Sequence, residues 1–190
     1  MKTAIIIIAA LVLVIFVLYY LLIGRFIKPE LKIITLEKPI DVIGLEIKTS
    51  DTDIYKDVSK VSKKFNALKA EHPIPHLKEP WQSINISNNY NEQTREFTYI
   101  VSDAVTKVDN IPEGLTHYEV PAINYAVFPI RPKSKFAWGI TMGKMKSYIF
   151  REWLPASGYK PSPLIGDFEL HDERSLGKHA EIQLYVGLSQ

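Results

Sequence analysis

The chain has 190 residues, of which 46% are hydrophobic and 23% charged, and this balance is typical of a globular protein rather than a disordered one. The formal net charge is only +2 and no basic run occurs, which argues against a nucleic-acid-binding surface. The absence of cysteine excludes disulfides, thiolate catalysis and cysteine-bound metals.

The first segment is predicted to be a transmembrane anchor. Residues 4–23 (AIIIIAALVLVIFVLYYLLI) form an uncharged apolar run of about 20 positions, enough for a helix to cross a bilayer. A cleaved signal peptide is the alternative, but its apolar core is usually shorter. We therefore assign residues 1–24 to the anchor and 25–30 to a juxtamembrane linker. More basic residues follow the run than precede it, which predicts that the C-terminal side faces the cytoplasm.

The remaining segment, residues 31–190, is predicted to contain two similar halves. In the first half, a β-branched stretch at 32–48 indicates a long strand with an edge kink or bulge at Pro39. Apolar residues at steps of four and three then predict a helix that ends near Ala70. Two strands follow, at about 82–88 and 95–101.

The second half repeats this order of elements. A long strand with a central proline, Pro121, is predicted over 115–130, a helix over 138–153, and strands at 167–171 and 181–187. Two such βαββ units predict an α+β fold with one antiparallel sheet and both helices on one face, preceded by the single transmembrane helix. The opposite face is expected to be concave and partly open.

Glu169 is the candidate functional residue that strand alternation singles out. If its neighbours Phe168 and Leu170 pack inward, Glu169 and His171 point to the other face. We expect that face to be the open one, with Tyr185 also pointing to it. An aromatic pocket with one charged group there is the usual form of a small-molecule site. A solvated carboxylate on an exposed strand is the alternative for Glu169.

Aromatic residues near the expected cleft are candidates for its walls. Tyr125 and Tyr185 lie on strands that should border it, whereas Tyr148 and Trp153 have the helical spacing of core residues as their alternative. The histidines show no metal-site spacing, and nucleotide-binding and hydrolase motifs do not occur. We therefore predict no metal, no cofactor and no assigned catalytic residue. The predicted ligand-binding set is Glu169, Tyr148, Tyr125, Tyr185, Trp153, His171 and Tyr99.

Several segments of the second half resemble a known family. YAVF at 125–128, YIFREWLPASGY at 148–159, DFEL at 167–170 and EIQLYV at 181–186 resemble the GyrI-like effector-binding domain of bacterial transcription activators. The resemblance covers about residues 31–188 and is most specific at W-L-P-x-S-G-Y followed by D-F-E. It implies two pseudo-symmetric βαββ units and a cleft for small organic ligands, often hydrophobic or cationic. It also implies that Glu169 meets the positive charge of the ligand.

Two departures from the family pattern affect the functional interpretation. His171 stands where the family commonly has tyrosine. The predicted span occupies the position where many relatives carry a DNA-binding helix-turn-helix, so no nucleic-acid partner is expected. With the span, the resemblance predicts a single-pass protein of a bacterial inner membrane, with the lipid bilayer as a partner.

Four functions follow as hypotheses. The leading one is a membrane-anchored sensor or scavenger that binds a cationic or aromatic small molecule at Glu169 without catalysis. The second is a hydrolase of reactive small molecules, in which Glu169 works with a tyrosine or His171 as an acid–base pair. Haem binding, as in the SOUL domains that share this broad fold, would need an axial ligand such as His171. The fourth is a protein-interaction module that uses the sheet edge, with an unknown partner.

Overall fold

The computed structural model describes residues 2–22, 26–134 and 137–189. A single π-helical turn, Ile149–Trp153, joins the third and fourth α-helices, and a short 3-10 turn, Glu173–Ser175, follows the eighth strand. The α-helices are α1 (Lys2–Leu22), α2 (Ile54–Glu71), α3 (Trp138–Tyr148) and α4 (Leu154–Ser157). The strands are β1 (Lys32–Thr35), β2 (Ile40–Ser50), β3 (Ser83–Asn88), β4 (Glu96–Ala104), β5 (Thr116–Val120), β6 (Asn124–Ile130), β7 (Lys160–Pro161), β8 (Asp167–His171) and β9 (Ile182–Ser189).

The described strands form one nine-stranded sheet. Their order is β1-β6-β9-β8-β3-β4-β2-β5, with β7 paired to β9, and every pairing is antiparallel. This confirms the predicted α+β class with one large antiparallel sheet. The strand–helix–strand–strand order occurs as β2-α2-β3-β4 and again, with α4 and β7 inserted, as β6-α3-β8-β9. The two halves meet where β3 pairs with β8, at the centre of the sheet.

Each proline-containing segment forms two strands, so the prediction of one kinked strand is wrong. β1 pairs with β6 of the second half, whereas β2 pairs with β4 and β5. Pro39 and Pro121 lie in the connections, where the chain needs no ladder N–H group. As a result, β1 extends the half that contains β6, and β5 extends the half that contains β2. Each half therefore completes the outer edge of the other.

Helices α2 and α3 pack on the same face of the sheet. Phe65 of α2 belongs to a core with Ile43 and Tyr99, and Ile149, at the end of α3, belongs to a core with Leu184. Register pairings connect these residues across the sheet: Ile47 with Tyr99, Tyr99 with Ser87, and Ser87 with Asp167. Directly paired residues point the same way. The strip of central sheet between the two helices is therefore on the helix-covered face.

The face without helices is filled by its own core. Residues of this core come from both halves, and Tyr118 and Tyr185 pack against them, so the sheet curls around its own side chains. The expected open, concave face is therefore not observed, because apolar residues occupy it. This core comprises Val42, Ile84, Ile86, Ile100, Ala104, Val120, Tyr125, Val127, Ile165 and Phe168.

The prediction for the N-terminal segment is overturned. Across residues 2–22, 26–134 and 137–189, no helix combines the length and apolar character needed to cross a membrane. On this finding the single-pass inner-membrane localisation, with its bilayer partner, is wrong. Residues 1, 23, 24 and 25 of the predicted anchor and linker lie outside the described residues.

Gly44 of β2 pairs with Ser102 of β4, and the two strands leave no space for a side chain at this position. A Cβ at this buried position would meet the side chain of Ser102 and the carbonyl oxygen of Val101. We expect Gly44→Ala to lower the free energy of unfolding by about 2 kcal/mol, because overpacking against backbone typically costs ~1–3 kcal/mol. Urea denaturation measures the change, and exposed Lys48→Ala on the same strand should stay within about 0.5 kcal/mol of wild type. Unaltered stability of Gly44→Ala would contradict the close approach.

Candidate functional site

Glu169 lies at the centre of the sheet, on the face that carries the helices. It pairs with Asn85 of β3 and Leu184 of β9, and its side chain is 12% exposed. The predicted alternation is present, because Phe168 and Leu170 belong to the opposite face. The predicted direction is wrong: Glu169 and His171 point into the strip between α2 and α3, since the helix-free face already holds a core.

Three charged side chains, each partly or fully buried, meet in this strip. Lys146 of α3 donates a hydrogen bond to Oδ1 of Asp167 at 2.8 Å and another to Oγ of Ser87 at 3.1 Å. The side chains of Lys146 and Asp167 are 26% and 7% exposed. Glu169 also interacts electrostatically with Lys146. Two carboxylates thus share one lysine, and His171 is the other basic side chain beside them.

His171 connects Glu169 to Asn85. Its Nε2 atom is 3.4 Å from Oε2 of Glu169 and 3.2 Å from Nδ2 of Asn85. A protonated Nε2 donates to the carboxylate, whereas an unprotonated Nε2 accepts from the amide. The imidazole can therefore change its hydrogen-bond partner when the charge or occupancy of the site changes.

These surroundings move the pKa values of the site residues in different directions. Burial alone would raise the pKa of Glu169, but the hydrogen bond from His171 and the charge of Lys146 outweigh it and hold the pKa below its usual value. At Asp167 burial prevails over Lys146 and raises the pKa. Burial, followed by the charges of Glu169 and Asp167, raises the pKa of Tyr99 well above its usual value. At neutral pH Glu169 is ionised and Tyr99 keeps its proton.

The lysine remains charged in spite of its burial. Desolvation would lower the pKa of Lys146, but the charges of Asp167 and Glu169 outweigh it and raise the pKa. A buried lysine is otherwise prone to lose its proton. Lys146 is therefore a permanent positive partner for the two carboxylates throughout the neutral range.

A groove of about 190 Å³ lies beside this charged group, under α2. His171 and Asn85 line the groove and also contact each other next to Glu169, so the groove leads to the charged group. Lys69 pairs with buried Asp103 at 2.7 Å and balances its charge. The remaining lining residues are Ser62, Phe65, Asn66, Trp81, Ser83 and Val101.

The structure brings three of the predicted site residues together: Glu169, His171 and Tyr99. Tyr125 and Tyr185 lie on the opposite face instead. Tyr125 is fully buried and its hydroxyl donates to the carbonyl oxygen of Pro121 at 2.8 Å. Tyr185 stacks on Phe168 with ring centroids 4.4 Å apart. Their contacts are those of a packed core, since strand alternation in β6 and β9 directs both rings away from the helices.

Tyr148 and Trp153 are likewise remote from the groove in their described contacts. The ring of Tyr148 packs on Phe26 with centroids 5.7 Å apart, and Nζ of Lys28 lies 4.9 Å from the ring centroid. Trp153 packs edge-on against Phe128 at 5.1 Å. These contacts agree with the core-packing alternative that helical spacing indicated. A ligand-binding role for either aromatic residue stays a prediction.

Sequence reasoning missed several residues that complete the site. Asp167 could have been found, because it lies two positions before Glu169 on the same strand and so shares its face. Lys146 and Asn85 could not, since their proximity depends on how α3 and β3 pack against β8. The available signal was the polar character of β3, which has serine or asparagine at alternate positions. It indicated that one face of this central strand does not pack in an apolar core.

The family assignment follows from the sequence match. Residues 32–188 match Cass2, the integron-associated effector-binding protein family. The chain belongs to this family. The match covers the described strands except the last residue of β9, and it includes Glu169 and the groove. It confirms the predicted resemblance at the level of an effector-binding domain. No curated protein matches the sequence.

Solved structures share the fold of this Cass2 family member. An integron cassette protein from the mobile metagenome of Vibrio cholerae has 13% identity and a TM-score of 0.58, over 84% of this chain and 95% of that chain. The C-terminal domain of EcmrR has 12% identity and a TM-score of 0.61, over 87% and 99%. SAV2435 bound to tetraphenylphosphonium has 11% identity and a TM-score of 0.56, over 86% and 94%. At these identities the likeness shows a shared fold.

Substitution of Lys146 tests its pairing with Asp167 and Glu169. We expect Lys146→Met to lower the free energy of unfolding by about 3 kcal/mol, because it leaves two neighbouring carboxylates buried without a cation. Urea denaturation at pH 7 measures the loss. The matched control is Lys64→Met on the exposed side of α2, which should change stability by less than about 0.5 kcal/mol. Equal effects of the two substitutions would contradict the proposed pairing.

The pKa of Glu169 predicts a pH dependence of stability. A carboxyl whose folded-state pKa lies below the ordinary 4.5 stabilises the fold above that pH and loses this contribution as the pH falls through the folded value. Glu169→Gln cannot ionise. The stability difference between wild type and this variant should therefore be largest near pH 7 and shrink below pH 4.5. Urea midpoints at several pH values measure it, and a constant difference would disprove the ionised, stabilised state of Glu169.

Proposed function

We propose that this protein binds a small organic cation next to Glu169 and acts as a sensor or scavenger of such molecules. The observation that carries the proposal is the buried, ionised carboxylate of Glu169 in a group with one more carboxylate than lysine. His171 and Lys146 keep this carboxylate ionised beside the groove. Its negative charge can therefore attract a bound cation at close range.

The groove under α2 is the proposed position of the ligand. Phe65 and Trp81 contribute aromatic surface to it, and His171 and Asn85 connect it to Glu169. A cation over an aromatic ring gains about 0.5–2 kcal/mol per contact. The volume of about 190 Å³ is below the ~300–1,000 Å³ of pockets for drug-sized ligands. A single-ring cation therefore fits this geometry, whereas a larger one requires α2 to move away from the sheet.

The comparisons support this ligand class. The family is described as effector-binding, which agrees with a small-molecule ligand. SAV2435, which shares the fold, is a protein whose structure contains bound tetraphenylphosphonium, an organic cation. The inference that this chain binds the same class of ligand rests on the shared fold together with the negative charge of Glu169.

Hydrolysis is the second candidate, because the ionised Glu169 lies beside His171 and near a protonated Tyr99. A carboxylate base and a hydroxyl acid are the pair such a reaction uses. Tyr99, however, is only 3% exposed and packs in the core under α2. Its hydroxyl is thus poorly placed to reach a substrate, and we prefer binding without turnover.

Glu169→Gln tests the charged anchor. We expect it to weaken binding of benzylammonium by at least about tenfold, because two unit charges about 5 Å apart attract by roughly 3 kcal/mol at an effective dielectric constant of 20. Isothermal titration calorimetry against the folded variant measures the loss. Exposed Glu173→Gln removes the same charge from the neighbouring 3-10 turn and should change affinity less than twofold. Wild-type affinity in Glu169→Gln would refute the assignment.

A further inference from the structure

Two buried oxygen atoms at the groove lack hydrogen-bond partners among the described residues. They are Oδ1 of Asn85 and Oδ1 of Asp103. Both side chains line the groove, and Asp103 is only 1% exposed. A buried acceptor without a donor costs free energy comparable to a lost hydrogen bond, so such atoms are rare in folded proteins. These two acceptors call for donors that the described part of the chain does not provide.

Both side chains are held in place by their other polar atoms. Oδ2 of Asp103 accepts from Nζ of Lys69 at 2.7 Å, and the side-chain amide of Asn85 donates a hydrogen bond to Glu169. The amide and the carboxylate are therefore fixed before a ligand arrives. The unpaired oxygens are the second acceptor positions of these anchored groups. A preorganised acceptor pair of this kind binds a donor at a low cost in conformational entropy.

The strand register places the two acceptors within reach of one ligand group. Ser83 pairs with Asp103 and Asn85 pairs with Val101, so Asn85 and Asp103 are diagonal neighbours on one face of β3 and β4. Diagonal neighbours are roughly 7–8 Å apart between Cα atoms, and the side chains can converge further. A single nitrogen centre with two or more N–H bonds can therefore lie between them.

We propose that the cationic group of the ligand carries N–H donors, as a primary ammonium, amidinium or guanidinium group does. Asn85 and Asp103 are the residues that would recognise these donors. This inference rests on the proposed function, in which Glu169 attracts the positive charge. It adds that a fully substituted ammonium or phosphonium ion is a poorer ligand, because it has no hydrogen to donate. A site built around acceptors rejects an analogue without the donor strongly, since the acceptors are left buried and unpaired.

A matched pair of ligands tests the inference on the full chain. Benzylammonium and benzyltrimethylammonium have the same ring and the same charge, and they differ in the N–H donors and in the size of the cationic group. We expect wild type to bind benzylammonium at least about tenfold more tightly, as measured by isothermal titration calorimetry at pH 7. In Asn85→Leu, which replaces the amide by an apolar group of similar shape, the ratio of the two affinities should fall towards one. Exposed Asn110→Leu should keep the wild-type ratio.

The outcomes separate this inference from the proposed function. If both cations bind wild type equally, or the quaternary ion binds more tightly, the donor requirement is wrong while cation binding stands. Water molecules then satisfy the two acceptors. If neither cation binds, and tetraphenylphosphonium does not bind either, the proposed function fails and the donor requirement fails with it. An absent preference in wild type overturns the donor requirement by itself, so the inference can be refuted even if Asn85→Leu does not fold.

Discussion

The ion pair between Lys146 and Asp167 is the interaction on which the rest of the site depends. It joins α3 to β8 in the middle of the sheet, where the side chains are largely removed from water. The same ammonium group acts on Glu169, two residues further along the strand, and helps to keep it ionised despite burial. Without this cation, burial would raise the pKa of Asp167 further, and only the contacts with His171 and Asn85 would oppose burial at Glu169. The negative charge available to a ligand therefore depends in part on a helix–strand contact.

The two central strands of the sheet are polar where a globular core would be apolar. β3 presents Ser83, Asn85 and Ser87 to the helix-covered face, and β8 presents Asp167, Glu169 and His171 beside them. Each helix covers the sheet on its own side of this seam with apolar residues. Polar groups at such a position must find partners or cost stability. Their clustering in the strip between the helices indicates that these polar residues serve binding rather than stability.

The opposite face explains how the fold tolerates that polar seam. The prolines lie between β1 and β2 and between β5 and β6, which are not paired with each other. β1 and β5 lie at the far edges of the sheet, so each half closes the other. The curled sheet then buries a second apolar core without any helix over it. Hydrophobic burial on this side stabilises the domain independently of the site. The strip around Glu169 can consequently carry unpaired acceptors and excess charge while the domain stays folded.

The sequence by itself determined the α+β class, the repeated order of elements and the alternation that separates Glu169 from Phe168. It could not decide which face is which, because alternation is symmetric and only long-range packing shows where the helices lie. Glu169 was therefore assigned to the wrong face, and Tyr185 was grouped with it although the two point in opposite directions. Local patterns also cannot identify partners from distant elements, such as Lys146. Tertiary packing alone decided these contacts, since it brings together side chains from elements whose relative positions no local pattern records.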